Sequence, residues 1–153
     1  MAVREVIKVP NPLLHQKSEK IEVIDKNIKR LAKDMYDTMK ANNGIGLAGV
    51  QIGILKQIVV IEIEQLDVKL DLVNPKIISF SGKNTPMEEG CLSVPEQTCE
   101  VLRPEKVIVE YQDLKGKTQK IEADGLLSKC LQHEIDHLNG ITILDKEKSS
   151  DIN

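Results

Sequence analysis

The residues best suited to chemistry in this chain are His133, Glu134 and His137, which form an H-E-x-x-H motif. Four residues along an α-helix is a little over one turn, so the two imidazoles leave one face about 6 Å apart and near enough to share a metal ion. Glu134 stands beside them, able to take a proton from a water at that ion without being a ligand itself. The bland alternative is a polar helix face on which two histidines meet solvent, and the motif alone does not decide between the two.

A hydrolytic site of the zinc type needs three protein ligands and one position left open for water. The extended metzincin pattern would put a third histidine where this chain has Ile143, although Gly140 fits that pattern. A thermolysin-like glutamate would lie well downstream on another helix, but only residues 138–153 follow His137, and Glu147 is too close. The third ligand is therefore sought upstream, among His15, the cysteines and the carboxylates. Cys130 precedes His133 by one turn, yet it lies about 10.5 Å of helical rise from His137, and two ligands of one ion lie within roughly 4 Å of each other. A small buried core thiol is its expected role. Cys91 stands in Glu88-Glu89-Gly90-Cys91-Leu92-Ser93-Val94-Pro95, where Gly90 lets the backbone pass close to another group; the alternative is a buried cysteine in a strand.

These groups need elements to carry them. Ile28, Leu31, Ala32, Met35 and Met39 recur at helical spacing between Asp25, an N-cap, and the Asn42-Asn43-Gly44 stop, which predicts a long N-terminal helix. Apolar, β-branched runs follow at Gln57 to Ile63, Lys69 to Val73 and, after the Asn74-Pro75 break, Lys76 to Phe80. Lys106 to Tyr111 and Thr118 to Ile121 flank a hairpin loop at Asp113 to Gly116. The strands are expected to be short and antiparallel. A second helix, Leu126 to Asn139, carries the H-E-x-x-H, with Asp124 or Gly125 near its start and Gly140 as a left-handed residue past its end. Strands that enclose a late helix make an α+β pattern, not alternating βαβ.

At 153 residues, 41% hydrophobic and 29% charged, the composition is that of one folded domain, expected over residues 1–145, with a frayed polar tail at 146–153. Only 2% aromatic residues means a core of Ile, Val and Leu. A net charge of −3 offers no basic field for phosphates, so direct nucleic-acid binding is not expected. Arg4 and Lys8 interrupt what would be the apolar run of a signal peptide, and no stretch reaches membrane-spanning length. Three cysteines are too few for a disulfide framework, so a reducing cytoplasm, bacterial given the acidic pI, is the expected setting.

Three motifs then fall in order: Gly44-Ile45-Gly46-Leu47-Ala48-Gly49-Val50-Gln51, Glu89-Gly90-Cys91-Leu92-Ser93, and Gln132-His133-Glu134-Ile135-Asp136-His137-Leu138. With the early Asn11-Pro12-Leu13 and the Asp37-Thr38-Met39 helix end, they make the chain closely resemble the peptide deformylases, metal hydrolases that remove the formyl group from N-terminal formyl-methionine. The resemblance covers nearly the whole sequence. It implies Cys91, His133 and His137 as metal ligands, and one divalent ion, Fe(II) physiologically, replaceable by Ni, Co or Zn. It implies Glu134 as the base that activates water and then the acid that protonates the departing amine, with Gln51 and the Leu92 backbone N–H as donors to the formyl oxygen. Ile45 and Gly46, with Gly44, would pair with the peptide backbone like an added strand, and Ile45, Leu92, Cys130 and His133 would line a methionine pocket.

The fold so implied is α+β, with short antiparallel β-sheets packed around a central metal-binding helix and one long N-terminal helix. Glu89, Asp136 and Arg103 are candidates to orient the histidines, surface salt bridges being the alternative. The implied partners are N-formylmethionyl nascent peptides met by a monomer in transient contact with the ribosome, although a longer C-terminal helix that makes such contact in some relatives is not assumed here. Two departures stand out. Gly49 replaces a usual Ala, which is expected to loosen its loop, and Thr98 stands where some relatives carry Arg near the substrate's C-terminal side. Two other readings compete: a peptide-binding module whose metal is structural or absent, and a peptidase for unformylated peptides.

Overall fold

Asp25 stops an extended segment by accepting hydrogen bonds from the N–H groups of Asn27 and Ile28 at 3.0 and 3.1 Å, and so starts α1, Lys26–Ala41. The computed structural model in which these contacts are seen describes residues 3–146, so most of the expected tail, residues 147–153, lies outside it. A short 3-10 helix, Pro12–His15, precedes α1 and was not foreseen. Asn43, with φ 59°, turns the chain out of α1, and the Gly44 N–H closes the helix on the Met39 carbonyl at 2.9 Å.

Five strands follow: β1 (Gly46–Ala48), β2 (Ile58–Ile63), β3 (Val68–Cys91), β4 (Val94–Gln112) and β5 (Thr118–Asp124). They pair in chain order as one antiparallel sheet. The helices α2 (Gly125–Leu138) and α3 (Ile143–Lys146) are the last elements of the described residues. Successive side chains of a strand point to opposite faces, and β2 uses both. Ile58 and Val60 pack with Ile28, Leu31, Met35 and Met39 of α1, whereas Val59, Ile61 and Ile63 pack with Leu131, Ile135 and Leu138 of α2. Two helices thus cover the two faces of the early strands, and α2 is buried along most of its length. No helix of the described residues is long and apolar enough to cross a membrane.

The α+β composition and antiparallel pairing agree with the sequence reading, but short separate sheets do not. β3 runs 24 residues and β4 19, and both belong to a single five-stranded sheet. The expected break at Asn74-Pro75 is a bulge: Asn74 takes φ 51°, pairing shifts between Val73 and Lys76, and β3 passes from β2 to β4 as its partner. The Asp113–Gly116 turn does join β4 to β5, with Gly116 at φ 83°.

Candidate metal centre

α2 carries His133, Glu134 and His137 into the interior, where all three are buried. Cys91 ends β3 at the tight turn into β4, its register partner being Val94, and the turn brings its thiol to α2. Cys91 Sγ lies 3.3 Å from His137 Nε2, and the two imidazole centroids are 5.1 Å apart at an interplanar angle of 61°. One ligating atom from each of Cys91, His133 and His137 falls within 4.8 Å of the others. His15 is elsewhere, exposed and 3.8 Å from Asp145, so among the described residues the upstream candidate that joins this group is the Cys91 thiol.

A thiol and two imidazoles converging with one side open fit a tetrahedral transition-metal ion that keeps a position for water, and such donors do not suit Mg or Ca. His133 Nδ1 is engaged by Glu89 Oε1 at 2.9 Å, which leaves its Nε2 for the cluster. Glu134 Oε2 sits 3.9 Å from that nitrogen, while Glu134 Oε1 is buried with no hydrogen-bond partner among the described residues. A buried carboxylate oxygen with an unused lone pair beside such donors is what a proton-accepting group requires.

Burial raises the Glu134 pKa to about 7, against the pull of His133. Burial also pushes His137 well below its usual value, helped by His133 and Arg103, so its ring is held neutral as a ligand must be. For His133 burial acts the same way but is outweighed by Glu134, Cys91 and Glu89, which raise it to about 10, so an ion taken up here would have to displace the proton from its Nε2.

Behind the histidines lies an ion-pair network in the interior, not on the surface. Arg103, 3% exposed, gives a fork of two hydrogen bonds to Glu89 at 2.6 and 3.0 Å and a third to Asp136 at 2.8 Å. Burial works to raise the Glu89 pKa, but His133 and Arg103 bring it below the usual carboxylate range. A ring nitrogen tied to a charged carboxylate has its tautomer and orientation fixed.

Gln51 is 1% exposed and faces the cluster from a 3-10 turn, Gly49–Ile52. Its Oε1 accepts from the Ala48 N–H at 2.9 Å, which aims Nε2 at Ser93 Oγ (3.2 Å) and Cys91 Sγ (3.5 Å). Gly49 has a structural reason. A Cβ there would come within 2.9 Å of the Ile54 carbonyl and 3.1 Å of that of Lys56, so the backbone is packed against the glycine, contrary to the expected loosening.

A cleft of about 750 Å³ opens onto the cluster, lined by Gly44, Ile45, Gly46, Cys91, Leu92, Cys130, His133 and Glu134 among others, with His137 behind. β1 forms one edge of the sheet. At Gly46 a Cβ would meet Glu134 Oε2 at 2.7 Å and Cys130 Sγ at 3.0 Å, so the β1 backbone passes directly over the carboxylate. Cys130 is buried, its thiol pKa raised by that burial and by Glu134. Of the residues singled out in the sequence, those of the three motifs are therefore gathered at one place, and His15 is not. Sequence reasoning missed Ser93, which shares Gln51 Nε2, and the buried Lys129 of α2. The one signal for Lys129 was a lysine set among Leu126, Leu127, Cys130 and Leu131.

A family model described as polypeptide deformylase matches residues 3–153. The chain is similar to the peptide deformylase of Rhizobium meliloti, 46% identical over 95% of this chain and 85% of that one. Against that of Finegoldia magna it is 47% identical over 95% of this chain and 90% of the relative. Among solved structures, peptide deformylase from Ehrlichia chaffeensis in complex with actinonin superposes with a TM-score of 0.94, at 39% identity over 99% of this chain and 92% of that one.

Proposed function

The chain belongs to the peptide deformylase family, enzymes that remove the N-formyl group from nascent polypeptides, and from that premise we propose how its own residues divide the work. Cys91, His133 and His137 hold one divalent ion, with Fe(II) the physiological metal and Ni, Co or Zn able to replace it. When bound, that ion supplies Lewis acidity, lowering the pKa of a water and polarising the formyl carbonyl. The observation that carries the reading is the convergence of three ligating atoms within 4.8 Å beside a buried carboxylate at the end of an open cleft.

In this account the peptide lies along Gly44, Ile45 and Gly46 as an added strand, and its methionine side chain enters the space bounded by Ile45, Leu92, Cys130 and His133. Glu134 takes a proton from the attacking water as the new C–O bond forms at the formyl carbon. Charge growing on the formyl oxygen is met by the Leu92 backbone N–H and by Gln51 Nε2, which exchanges its contact with sulfur for the stronger acceptor. Glu134 then gives the proton to the peptide nitrogen as the C–N bond breaks, releasing formate and a free N-terminus. A pKa near 7 suits a group that must both accept and donate.

The proposal extends to the long N-terminal α1, to α2 as the central metal-binding helix, and to residues 1–145 as a single domain. It also takes the protein as a monomer in transient contact with the ribosome, in a bacterial cytoplasm, a setting supported by the bacterial relatives and by cysteines that form no disulfide among the described residues. Matched assays of formyl-Met-Ala-Ser and Met-Ala-Ser test the function. Formate release from the first with no cleavage of the second is expected; hydrolysis of the unformylated peptide would favour a peptidase instead.

A further inference from the structure

Lys129 takes no part in the chemistry above, yet it lies in α2 one turn before His133 and is 5% exposed. Its ammonium donates three hydrogen bonds, to Thr85 O at 2.7 Å, Thr85 Oγ1 at 2.8 Å and Arg103 O at 2.8 Å. All three donors are used, and all three acceptors are neutral. Burying a charge without an ion-pair partner is costly, and an apolar side chain of similar length would pack there without that cost, so stability alone does not account for a lysine.

The acceptors themselves indicate a role. Thr85 and Arg103 are register partners, so the ammonium sits on one rung of the β3/β4 ladder. Register shifts bound this part of the ribbon, one between Ser81 and Asn84 and one between Gly90 and Cys91. Between them the pairing is unbroken from Asn84↔Pro104 to Gly90↔Thr98. Lys129 grips one end of that regular block and Cys91 projects from the other, about 20 Å along the strand.

Two further residues on the same stripe of α2 hold the same place. Gln132 Nε2 donates to Pro104 O at 3.0 Å, and Asp136 accepts from Arg103 Nη1 at 2.8 Å. Arg103 is thus fixed at both ends, its carbonyl by Lys129 and its guanidinium by Glu89 and Asp136, and Glu89 in turn holds His133 Nδ1. The ligands come from two separate bodies, Cys91 from the ribbon and the histidines from the helix. They meet correctly only while the ribbon is seated on the helix.

We propose that Lys129 is a positioning residue: by locking the Thr85/Arg103 rung of the β3/β4 ribbon onto α2, it sets the Cys91 thiol at the distance from His133 and His137 at which the three share one ion. The inference rests on the ligand set proposed above. The test uses Co(II)-loaded wild-type protein and its K129M, K129R and T85V variants. Three quantities are read: the rate of Co(II) release to excess EDTA, the thiolate-to-Co(II) charge-transfer band, and Tm.

K129M is expected to release Co(II) about 10- to 100-fold faster than wild type, the range for loss of groups that orient metal ligands, with a weakened thiolate band. T85V, which removes one bond of three, is expected to speed release by about threefold to fivefold. K129R, which returns donors to the same carbonyls, should recover part of the K129M loss. A merely structural lysine would lower Tm and leave the band and release rate of the folded protein unchanged, and that result in K129M overturns the proposal. If K129M does not fold, an unchanged release rate in T85V overturns it equally. Wild-type protein that retains no Co(II) would overturn the ligand set and this inference together.

Discussion

Replacing Gly46 with alanine puts a methyl group 2.7 Å from Glu134 Oε2, 3.1 Å from its Cδ and 3.0 Å from Cys130 Sγ. Gly46 does not occupy the left-handed region, so the backbone accepts alanine without strain. The atom most in the way is the far end of a flexible side chain, and the clash is relieved when the carboxylate swings aside by about 0.5 Å, with little loss of stability. Proton transfer is less tolerant, since a general base works over about 2.6–3.2 Å and a misplacement of 1 Å costs about 100-fold. A shift of about half that size predicts a kcat about 10-fold lower, or roughly 1.4 kcal/mol of barrier.

The contrast is Gly44→Ala, whose Cβ would meet Leu92 Cδ1 in the cleft wall at 2.9 Å and Met39 Cγ in the core at 3.4 Å, neither of them an atom of Glu134. G44A should therefore act mainly on KM. Steady-state formate release by the two variants, with metal content measured in each, separates the cases. A G46A enzyme with full metal and a kcat within twofold of wild type would refute the placement of Glu134 beneath the β1 backbone.

Other perturbations follow from the same geometry. Gly49→Ala drives a Cβ to within 2.9 Å of the Ile54 carbonyl, a backbone atom that cannot swing away, so it is expected to cost about 1–3 kcal/mol in place of the modest gain alanine gives at an unstrained glycine. Urea denaturation of G49A reads the sign directly. Glu89→Ala leaves the buried Arg103 with Asp136 alone and frees the His133 ring, which predicts a loss of about 3–5 kcal/mol and metal release faster by about 10- to 100-fold. Thermal melts and chelator competition on E89A would show both effects, and a variant as stable as wild type would mean that the network carries no weight.

Helical features were legible in the sequence because they are local. The Asp25 cap, the apolar period of α1 and the Gly140 stop each depend on neighbours within one or two turns, and the same short-range geometry put His133 and His137 on one face. The long ribbon was not legible. Gly82, Pro86, Gly90 and Pro104 interrupt its propensity, and its 24 and 19 residues form strands only because each supplies the other's hydrogen-bond partners across a long stretch of chain. The third ligand shows the limit between the two. Helix arithmetic removed Cys130 but did not select Cys91, because what brings that thiol to the histidines is the seating of the ribbon on α2. Lys129 was hidden for the same reason, its three acceptors lying on strands 26 and 44 residues away.

The central claim is that Cys91, His133 and His137 hold an ion at which Glu134 alone handles the proton. Formate release from formyl-Met-Ala-Ser and bound metal, measured in the same oxygen-free preparation for wild type and Glu134→Ala, test it most directly. The account predicts one ion per chain in both proteins and rapid turnover only in wild type, with a loss in the variant of about 100-fold or more. Stoichiometric metal with no formate from wild type under Fe, Ni, Co or Zn, or a Glu134→Ala variant that keeps its rate, would contradict it.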